Sequence, residues 1–412
     1  MAHSDPMPLS SQGETGAPSP TFLGHATAAI GEVRRHLAAV IEALPGPIAR
    51  ASELQHLLGI DKALGWRVFN AVQCVDAFAA ARYLPGSGGL RSFLRAARRK
   101  GAPEPLLSAV EEAARALDRI AREHAGDRKR FDMLLAAHSH EGRQAADLVH
   151  RRKAFEGNCY VWGASADVLL RSAFIAPSAT PGFADMANLR GLVGLELLRP
   201  ALRWPIAQTA PVQDDLRTPR SAVVESLYDI ETPSSEEAAI FLSDPSLKIE
   251  ARATPEGSRQ YSLVLDDVGR VGAATCVTGD VVRCVGNLAP EDGSRLAGAL
   301  VAVTCPARLL IFDLFLHRSL FSAANPEVVV RGELGLAQGP HEHSLPVTEQ
   351  CERIGVATDV LAACEVPRYG AMRDFVFQRL GWDPAEFDVH RLRVEYPVLS
   401  SIVLMRFVLD RP

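Results

Sequence analysis

Apolar residues recur at intervals of three, four and seven through most of the first 150 positions, and in shorter runs and alternations beyond them. Ile30, Val33, Leu37, Val40, Ile41 and Leu44 fall on one face of a helix, as a period of 3.6 requires. Pro45-Gly46-Pro47 stops that helix. Ser52, with Gln55 three residues on, forms a capping-box pattern for a short second helix. Gly59 closes it as a left-handed residue would, and Asp61 is placed to cap a third helix that runs to about Val75. After the turn Pro85-Gly86-Ser87-Gly88-Gly89, a helix is predicted over residues 90–100. Leu107, Val110, Ala114, Leu117 and Ala121 predict a longer one over 104–124, and two more cover 128–137 and 142–154.

The pattern changes near Phe155. Segments 159–162, 168–175 and 189–198 are short, apolar and bounded by Gly or Pro. Residues 248–253 alternate charged with apolar, and Tyr261, Leu263 and Leu265 alternate with Ser262 and Val264. Together with 281–285, 309–316, 328–330 and 392–409, rich in branched and aromatic side chains, these predict strands. Met372, Phe375, Val376 and Leu380 share a face of one later helix that Gly381 ends. The resulting fold class is α+β, with an all-helical N-terminal domain over residues 21–154 and a β-rich α+β domain over 155–412. Residues 1–20, rich in Ser, Pro and Gly, read as a disordered tail without the basic start or apolar core of a signal peptide. Residues 209–235 read as an exposed loop or a subdomain boundary.

Composition adds three points. With 47% of residues hydrophobic but only 6% aromatic, Ala, Val and Leu must build the cores. The longest uncharged apolar run, residues 296–307, is far shorter than the roughly 20 residues of a membrane helix, so no membrane partner is expected. Cys74, Cys159, Cys276, Cys284, Cys305, Cys351 and Cys364 show no CxxC spacing, which argues against a zinc ribbon or redox motif and fits free thiols in the cytoplasm. The net charge of −5 is unevenly distributed: residues 1–153 hold 21 basic and 16 acidic side chains, and the remainder 23 and 33. Between Lys62 and Lys100 there are 8 basic residues and 1 acidic residue. Since only 5 of the 44 basic residues are Lys, Arg richness alone carries little weight.

Residues 51–69, Ala-Ser-Glu-Leu-Gln-His-Leu-Leu-Gly-Ile-Asp-Lys-Ala-Leu-Gly-Trp-Arg-Val-Phe, resemble the helix-turn-helix core of bacterial transcription regulators: a short helix, a Gly in the turn, an apolar residue and a polar cap opening the recognition helix. Leu54, Leu57, Leu58 and Ile60 would bury the first helix and its corner, and Leu64, Val68 and Val72 would face inward. Lys62, Trp66, Arg67, Asn70 and Gln73 are then directed outward, able to reach phosphates and base edges. The resemblance covers about 25 residues, and any two-helix hairpin of a helical domain gives a similar pattern. Gly65 departs from it, at a cost of roughly 1 kcal/mol relative to Ala inside a helix.

Leu84-Pro85-Gly86-Ser87-Gly88 is similar to the helix-hairpin-helix motif, with polar Ser87 where that family has an apolar residue. The resemblance implies that Gly86 and Gly88 expose backbone amides to DNA phosphates. The helix that follows carries Arg91, Arg95, Arg98, Arg99 and Lys100, three of the arginines at four-residue spacing. A phosphate-binding P-loop is not supported, since no Gly-Lys-Ser/Thr ending and no preceding strand occur.

In the second half, His138-Ser139-His140 and His341-Glu342-His343 have the spacing of one strand face but read best as solvated histidines, and no metal is assigned. Asp313 and His317 would share a face in either helix or strand, and read as a structural hydrogen bond rather than an oriented base. Asp266-Asp267 and Glu291-Asp292 read as turns. No catalytic signature and no cofactor are assigned. The expectation is a cytoplasmic, homodimeric transcription regulator that binds double-stranded DNA through its helical domain, with a C-terminal domain for a small-molecule effector or for oligomerisation. The alternatives are an assembly protein with a helical docking domain, or an enzyme with an unrecognised site in the second half.

Overall fold

The computed structural model describes residues 20–137, 140–200, 202–209, 223–253, 259–288, 296–321, 325–332, 344–345, 349–359 and 363–409. The chain is mixed α+β, helical towards the N-terminus and built on β-sheets in its C-terminal half. It divides into two compact units, Met1–Asp147 and Leu148–Pro412. The expected tail lies outside the described residues, apart from Pro20.

The first unit contains α1 (Pro20–Glu42), α2 (Ala51–Leu58), α3 (Lys62–Gln73), α4 (Ala77–Ala81), α5 (Ser87–Arg99), α6 (Glu104–Ala125) and α7 (Arg128–Ala136). Its core follows from the helical period: Ala26, Ile30, Val33, Leu37, Val40 and Leu44 bury one face of α1. That face packs along α6, which contributes Leu107, Val110, Leu117 and Ala121.

α8 (His140–Trp162) crosses the division between the units. The strand predicted over 159–162 is therefore wrong, because those residues complete α8. An established helix gains one hydrogen bond for each residue added, which outweighs the β preference of Tyr160, Val161 and Trp162. Gly163, at φ 73°, ends the helix, its N–H donating to the Cys159 carbonyl at 2.9 Å.

The second unit continues with β1 (Ala164–Pro177), β2 (Phe183–Leu197), β3 (Arg203–Thr209), β4 (Val223–Ser226), α9 (Ser235–Phe241), β5 (Lys248–Ala253), β6 (Arg259–Val264), β7 (Ala274–Asn287), β8 (Leu296–Ala302) and β9 (Ala307–His317). It ends with β10 (Glu327–Gly332), β11 (Ser344–Leu345), β12 (Glu352–Val356), α10 (Tyr369–Leu380), β13 (Phe387–Glu395) and β14 (Ser401–Val408). A seven-stranded sheet runs in the order β12-β13-β9-β1-β2-β7-β4, beside a four-stranded sheet β11-β10-β14-β8 and a three-stranded sheet β3-β6-β5. The neighbours β1 and β9 are parallel, whereas the other pairings are antiparallel.

One face of the large sheet packs on the two smaller sheets, with Leu169, Phe312 and Leu392 against Val403, Met405 and Leu263. The other face, with Phe174, Phe315 and Phe387, is covered by Met372, Val376 and Phe377 of α10 and Phe241 of α9. β1 and β9 are buried on both faces, which is why they read as continuous apolar runs rather than alternations.

Two regions gain detail from the structure. The strand-forming stretch 392–409 is divided between β13 and β14. Tyr396 and Ser400 adopt left-handed backbone (φ 47° and 60°), and the chain crosses from the large sheet into the four-stranded one. The helix α9 was not predicted, although its signal is present: the Ser234 hydroxyl accepts from Glu237 N and the Glu237 carboxylate accepts from Ser234 N, a capping box. Within residues 209–235, positions 210–222 lie outside the described residues, as does the predicted turn Glu291-Asp292.

At Gly191 of β2, a Cβ would sit 2.6 Å from Val277 Cγ2 and 2.9 Å from both the Cys276 carbonyl oxygen and Val277 Cα. Two of those atoms are backbone of the paired strand β7 and cannot rotate away. Gly191→Ala is expected to lower the free energy of unfolding by about 1–3 kcal/mol. Urea denaturation with an unchanged midpoint would contradict this.

Candidate nucleic-acid interface

The segment α2–α3 is held by local chemistry. α2 starts at Ala51, and its opening is closed by Glu53 rather than by the expected Ser52–Gln55 box. The Glu53 carboxylate accepts from Ala49 N at 2.7 Å and Arg50 N at 3.0 Å. Gly59 takes φ 62°, ψ 40°, and its N–H donates to the Gln55 carbonyl at 2.8 Å. Asp61 Oδ1 then accepts from Ala63 N (2.8 Å) and Leu64 N (3.4 Å), capping α3. At the other end, the Arg34 guanidinium reaches across from α1 to the Ala71 carbonyl at 2.8 Å and to the carbonyl of Cys74. Both ends of α3 are thereby fixed.

The anomalous Gly65 has a packing reason. It is buried, and a Cβ there would approach Gln55 Cβ to 3.1 Å and Gln55 Cα to 3.4 Å. The glycine lets α3 cross α2 closely. Val68 and Ala71 are fully buried beside it, and Leu64 and Val72 are half-buried.

Of the residues expected to face outward on α3, Lys62, Trp66, Arg67 and Gln73 are exposed and Asn70 is half-buried. Their side chains are not equally available. Arg67 Nη2 donates to the Leu84 carbonyl at 3.0 Å, and Asn70 Nδ2 donates to the Trp66 carbonyl at 2.7 Å. Trp66 is 50% exposed and meets Tyr83 edge-on, with ring centroids 5.3 Å apart. Arg82 lies over the same Tyr83 ring at 4.6 Å.

The turn before α5 is shorter than predicted. α5 begins at Ser87 with Gly86 as its N-cap (φ −64°, ψ 170°), so Gly88 and Gly89 belong to its first turn rather than to a loop. Glycine is a poor residue for a helix interior, but the first turn asks less of it. Gly89 has a specific role, since a Cβ there would lie 3.2 Å from Leu64 Cδ1 and from Pro85 Cβ. Gly86 and Gly88 are exposed with open space around them, and no side chain caps the helix start. Leu84, Pro85 and Gly89 thus join α3 to the start of α5.

α5 buries Leu90, Phe93, Leu94, Ala96 and Ala97 and exposes Arg91, Arg95, Arg98, Arg99 and Lys100. Arg98 does not belong to a free basic stripe. It makes a double hydrogen bond to Glu104, Nε–Oε2 at 2.8 Å and Nη2–Oε1 at 2.6 Å. That contact raises the Arg98 pKa and lowers that of Glu104. Arg91 Nε donates to the Ser87 carbonyl at 3.3 Å. Among the described residues, Lys62, Arg95 and Arg99 make no hydrogen bond or ion pair through their side chains.

The second unit's candidates resolve differently. Asp313 and His317 do not pair. Asp313, fully buried on β9, accepts from Arg391 Nε at 2.8 Å and Nη2 at 2.7 Å and from the Tyr369 hydroxyl. Burial, then the Asp313 charge, pushes the Tyr369 phenol well above its ordinary range. His317 pairs instead with Glu386, at 2.9 Å. Burial pushes the thiols of Cys276 and Cys351 up to about 12, so neither is a thiolate nucleophile at neutral pH. All seven cysteines are free thiols. Among the described residues, no group of three or more His, Cys, Asp or Glu could hold a metal, and no helix is long and apolar enough to cross a membrane. His138, Ser139 and His341-Glu342-His343 lie outside the described residues.

His390 on β13 is 3% exposed, and its Nδ1 has no hydrogen-bond partner. Burial lowers its pKa below 6.5, with Arg353 adding to the effect and Asp388 opposing it. The unfolded chain therefore takes up this proton before the folded one does. Stability present above pH 6.5 is lost as pH falls through the folded value. The melting temperature is expected to drop between pH 7 and pH 5, and less so in His390→Gln; equal drops would refute the assignment.

No protein-family model matches the chain, and no curated protein matches it. The crystal structure of a putative protease from Parabacteroides distasonis ATCC 8503 aligns at 8% identity over 60% of this chain, with a TM-score of 0.23. The chain spans 40% of that protein's length in the alignment. A likeness this slight transfers neither fold nor activity.

Proposed function

We propose that this chain is a transcription regulator that binds double-stranded DNA, with α2 and α3 acting as a helix-turn-helix and α3 entering the major groove. The observation that supports the reading is a series of contacts that joins α3 to α5. Trp66 meets Tyr83, Arg67 donates to the carbonyl of buried Leu84, and the start of α5 that follows has no side-chain cap. Lys62 lies at the α3 end, and Arg95 and Arg99 follow on α5. These cations have no anionic partner among the described residues, and phosphates would supply one. The second unit is assigned an effector or oligomerisation role. The chain is read as a cytoplasmic homodimer, because one recognition helix reads few base pairs and paired half-sites multiply affinity.

The test is fluorescence anisotropy of a labelled random-sequence duplex titrated with the full chain from about 50 to 200 mM salt. Affinity is expected to fall steeply with salt. The triple variant Lys62→Ala/Arg95→Ala/Arg99→Ala should flatten the log–log slope by about 3, at roughly 0.9 per phosphate contact. Arg98→Ala, already paired with Glu104, should leave it nearly unaltered. Absence of binding at the lowest salt, or an unchanged slope in the triple variant, would overturn the reading.

A further inference from the structure

The first unit contains a cavity of about 240 Å³ between α1, α5, α6 and α7. Its floor is apolar, formed by Val33, Leu84, Leu90, Leu94 and Leu117. An engineered apolar cavity of about 150 Å³ already accepts benzene, so this one has room for a body of roughly eight to ten heavy atoms. The wall also carries five charged residues, Arg91 on α5, Glu111, Arg115 and Asp118 on α6, and Arg128 on α7.

Those charges are not balanced across the cavity. Asp118 faces Arg128 at 3.9 Å, and Arg128 also holds Asp132 at 2.8 Å. Glu111 lies within the electrostatic reach of Arg98. Both carboxylates of the wall therefore have a cationic neighbour. Neither of the two remaining guanidiniums, Arg91 and Arg115, makes an ion pair among the described residues, although Glu111 lies one helical turn before Arg115 on α6. Arg91 bonds through its Nε, to the Ser87 carbonyl, and among the described residues its terminal nitrogens make no hydrogen bond. Arg115 makes no hydrogen bond or ion pair among the described residues. A guanidinium presents a planar fork of donors that matches a carboxylate. Two such forks at the rim of an apolar pocket fit a ligand with an acidic head and a hydrocarbon body.

We infer that this cavity binds a small amphipathic carboxylate, its apolar body against Leu90, Leu94 and Leu117 and its carboxylate between Arg91 and Arg115. The site lies wholly within the helical unit, and its existence does not depend on DNA binding. It also differs from the expectation that an effector would sit in the β-rich half. Tied to one end of the α5 arginine row, it is placed where occupancy engages Arg91.

The probe is sodium octanoate, titrated into the full chain by isothermal calorimetry, with octylammonium chloride and 1-octanol as matched controls of opposite and zero charge. Octanoate is expected to bind saturably with one site per chain, at least tenfold more tightly than either control. A tenfold difference corresponds to about 1.4 kcal/mol. Arg91→Gln/Arg115→Gln, both exposed positions, should keep the circular dichroism of the parent and lower octanoate affinity about tenfold or more. Three results would each overturn the inference: no saturable octanoate binding up to about 10 mM, a range that spans weak affinities; equal binding of octylammonium; or undiminished affinity in the double variant. None of these bears on the duplex titration, so the two readings fail separately.

Discussion

Asp313→Ala is expected to lower the free energy of unfolding by about 3–5 kcal/mol, because it leaves one partner of a buried ion pair uncompensated. Asp313 on β9 and Arg391 on β13 are direct cross-strand partners, so the sheet register itself sets the two-bond contact. The Asp313 side chain is 0% exposed and that of Arg391 is 11% exposed. With the carboxylate removed, the guanidinium keeps its burial and loses its counter-charge. The Tyr369 hydroxyl loses its carboxylate acceptor as well and keeps only Ser172 Oγ at 3.5 Å, which loosens the start of α10 over the sheet. Asp313→Leu combined with Arg391→Met should recover most of the loss, since an apolar pair of similar volume is often neutral or stabilising at such a site. Urea denaturation of the two variants decides the matter. A loss below about 1 kcal/mol in the single variant, or no recovery in the double, would refute the account.

The second large effect is expected in the helical unit. Phe93→Ala should cost about 3–5 kcal/mol, the range for deleting a fully buried aromatic ring. Phe93 is 0% exposed on the inner side of α5, the helix whose outer side carries Arg91, Arg95 and Arg99. The substitution removes no charge. If α5 is part of a DNA surface, duplex affinity should also fall, through displacement of the helix rather than through lost cations. The helical circular-dichroism signal followed in urea gives the stability, and the anisotropy titration gives the affinity. An unchanged unfolding midpoint would show that the α5 core does not hold the unit together.

Much of the helical unit was legible because amphipathic helices write their buried face at a constant spacing. The row from Ile30 to Leu44 and the row from Leu107 to Ala121 both became core. Caps were legible where one residue type has a local role, as at Gly59, Asp61 and Gly381. Short apolar runs were ambiguous. Residues 159–162 and 309–316 look alike in isolation, yet the first ends a helix and the second forms a central strand. Which one forms depends on what continues on either side.

The candidate interface was legible as a list of residues but not as a set of available ones. On α3 the spacing set exposed Lys62, Trp66, Arg67 and Gln73 apart from buried Val68, but outward-expected Asn70 and inward-expected Leu64 and Val72 are alike half-buried. Spacing could not reveal that Arg98 is held by Glu104 across the α5–α6 corner, or that Arg67 is used on the Leu84 carbonyl. Nor could it show that Asp313 belongs with Arg391, 78 positions away, rather than with His317. The cavity beside Arg91 and Arg115 is likewise drawn from the consecutive helices α5, α6 and α7 together with the distant α1.

By itself, then, the sequence determined the α+β class, the helical N-terminal half, the buried faces and the concentration of positive charge between Lys62 and Lys100. Each of these follows from local propensity or from the period of a single element. Tertiary structure alone decided which charges are neutralised, why Gly65 and Gly89 must be glycine, and where an apolar pocket opens beneath a basic rim. Those are contacts between different elements, some adjacent in the chain and some far apart, and no periodicity within one element encodes its partner.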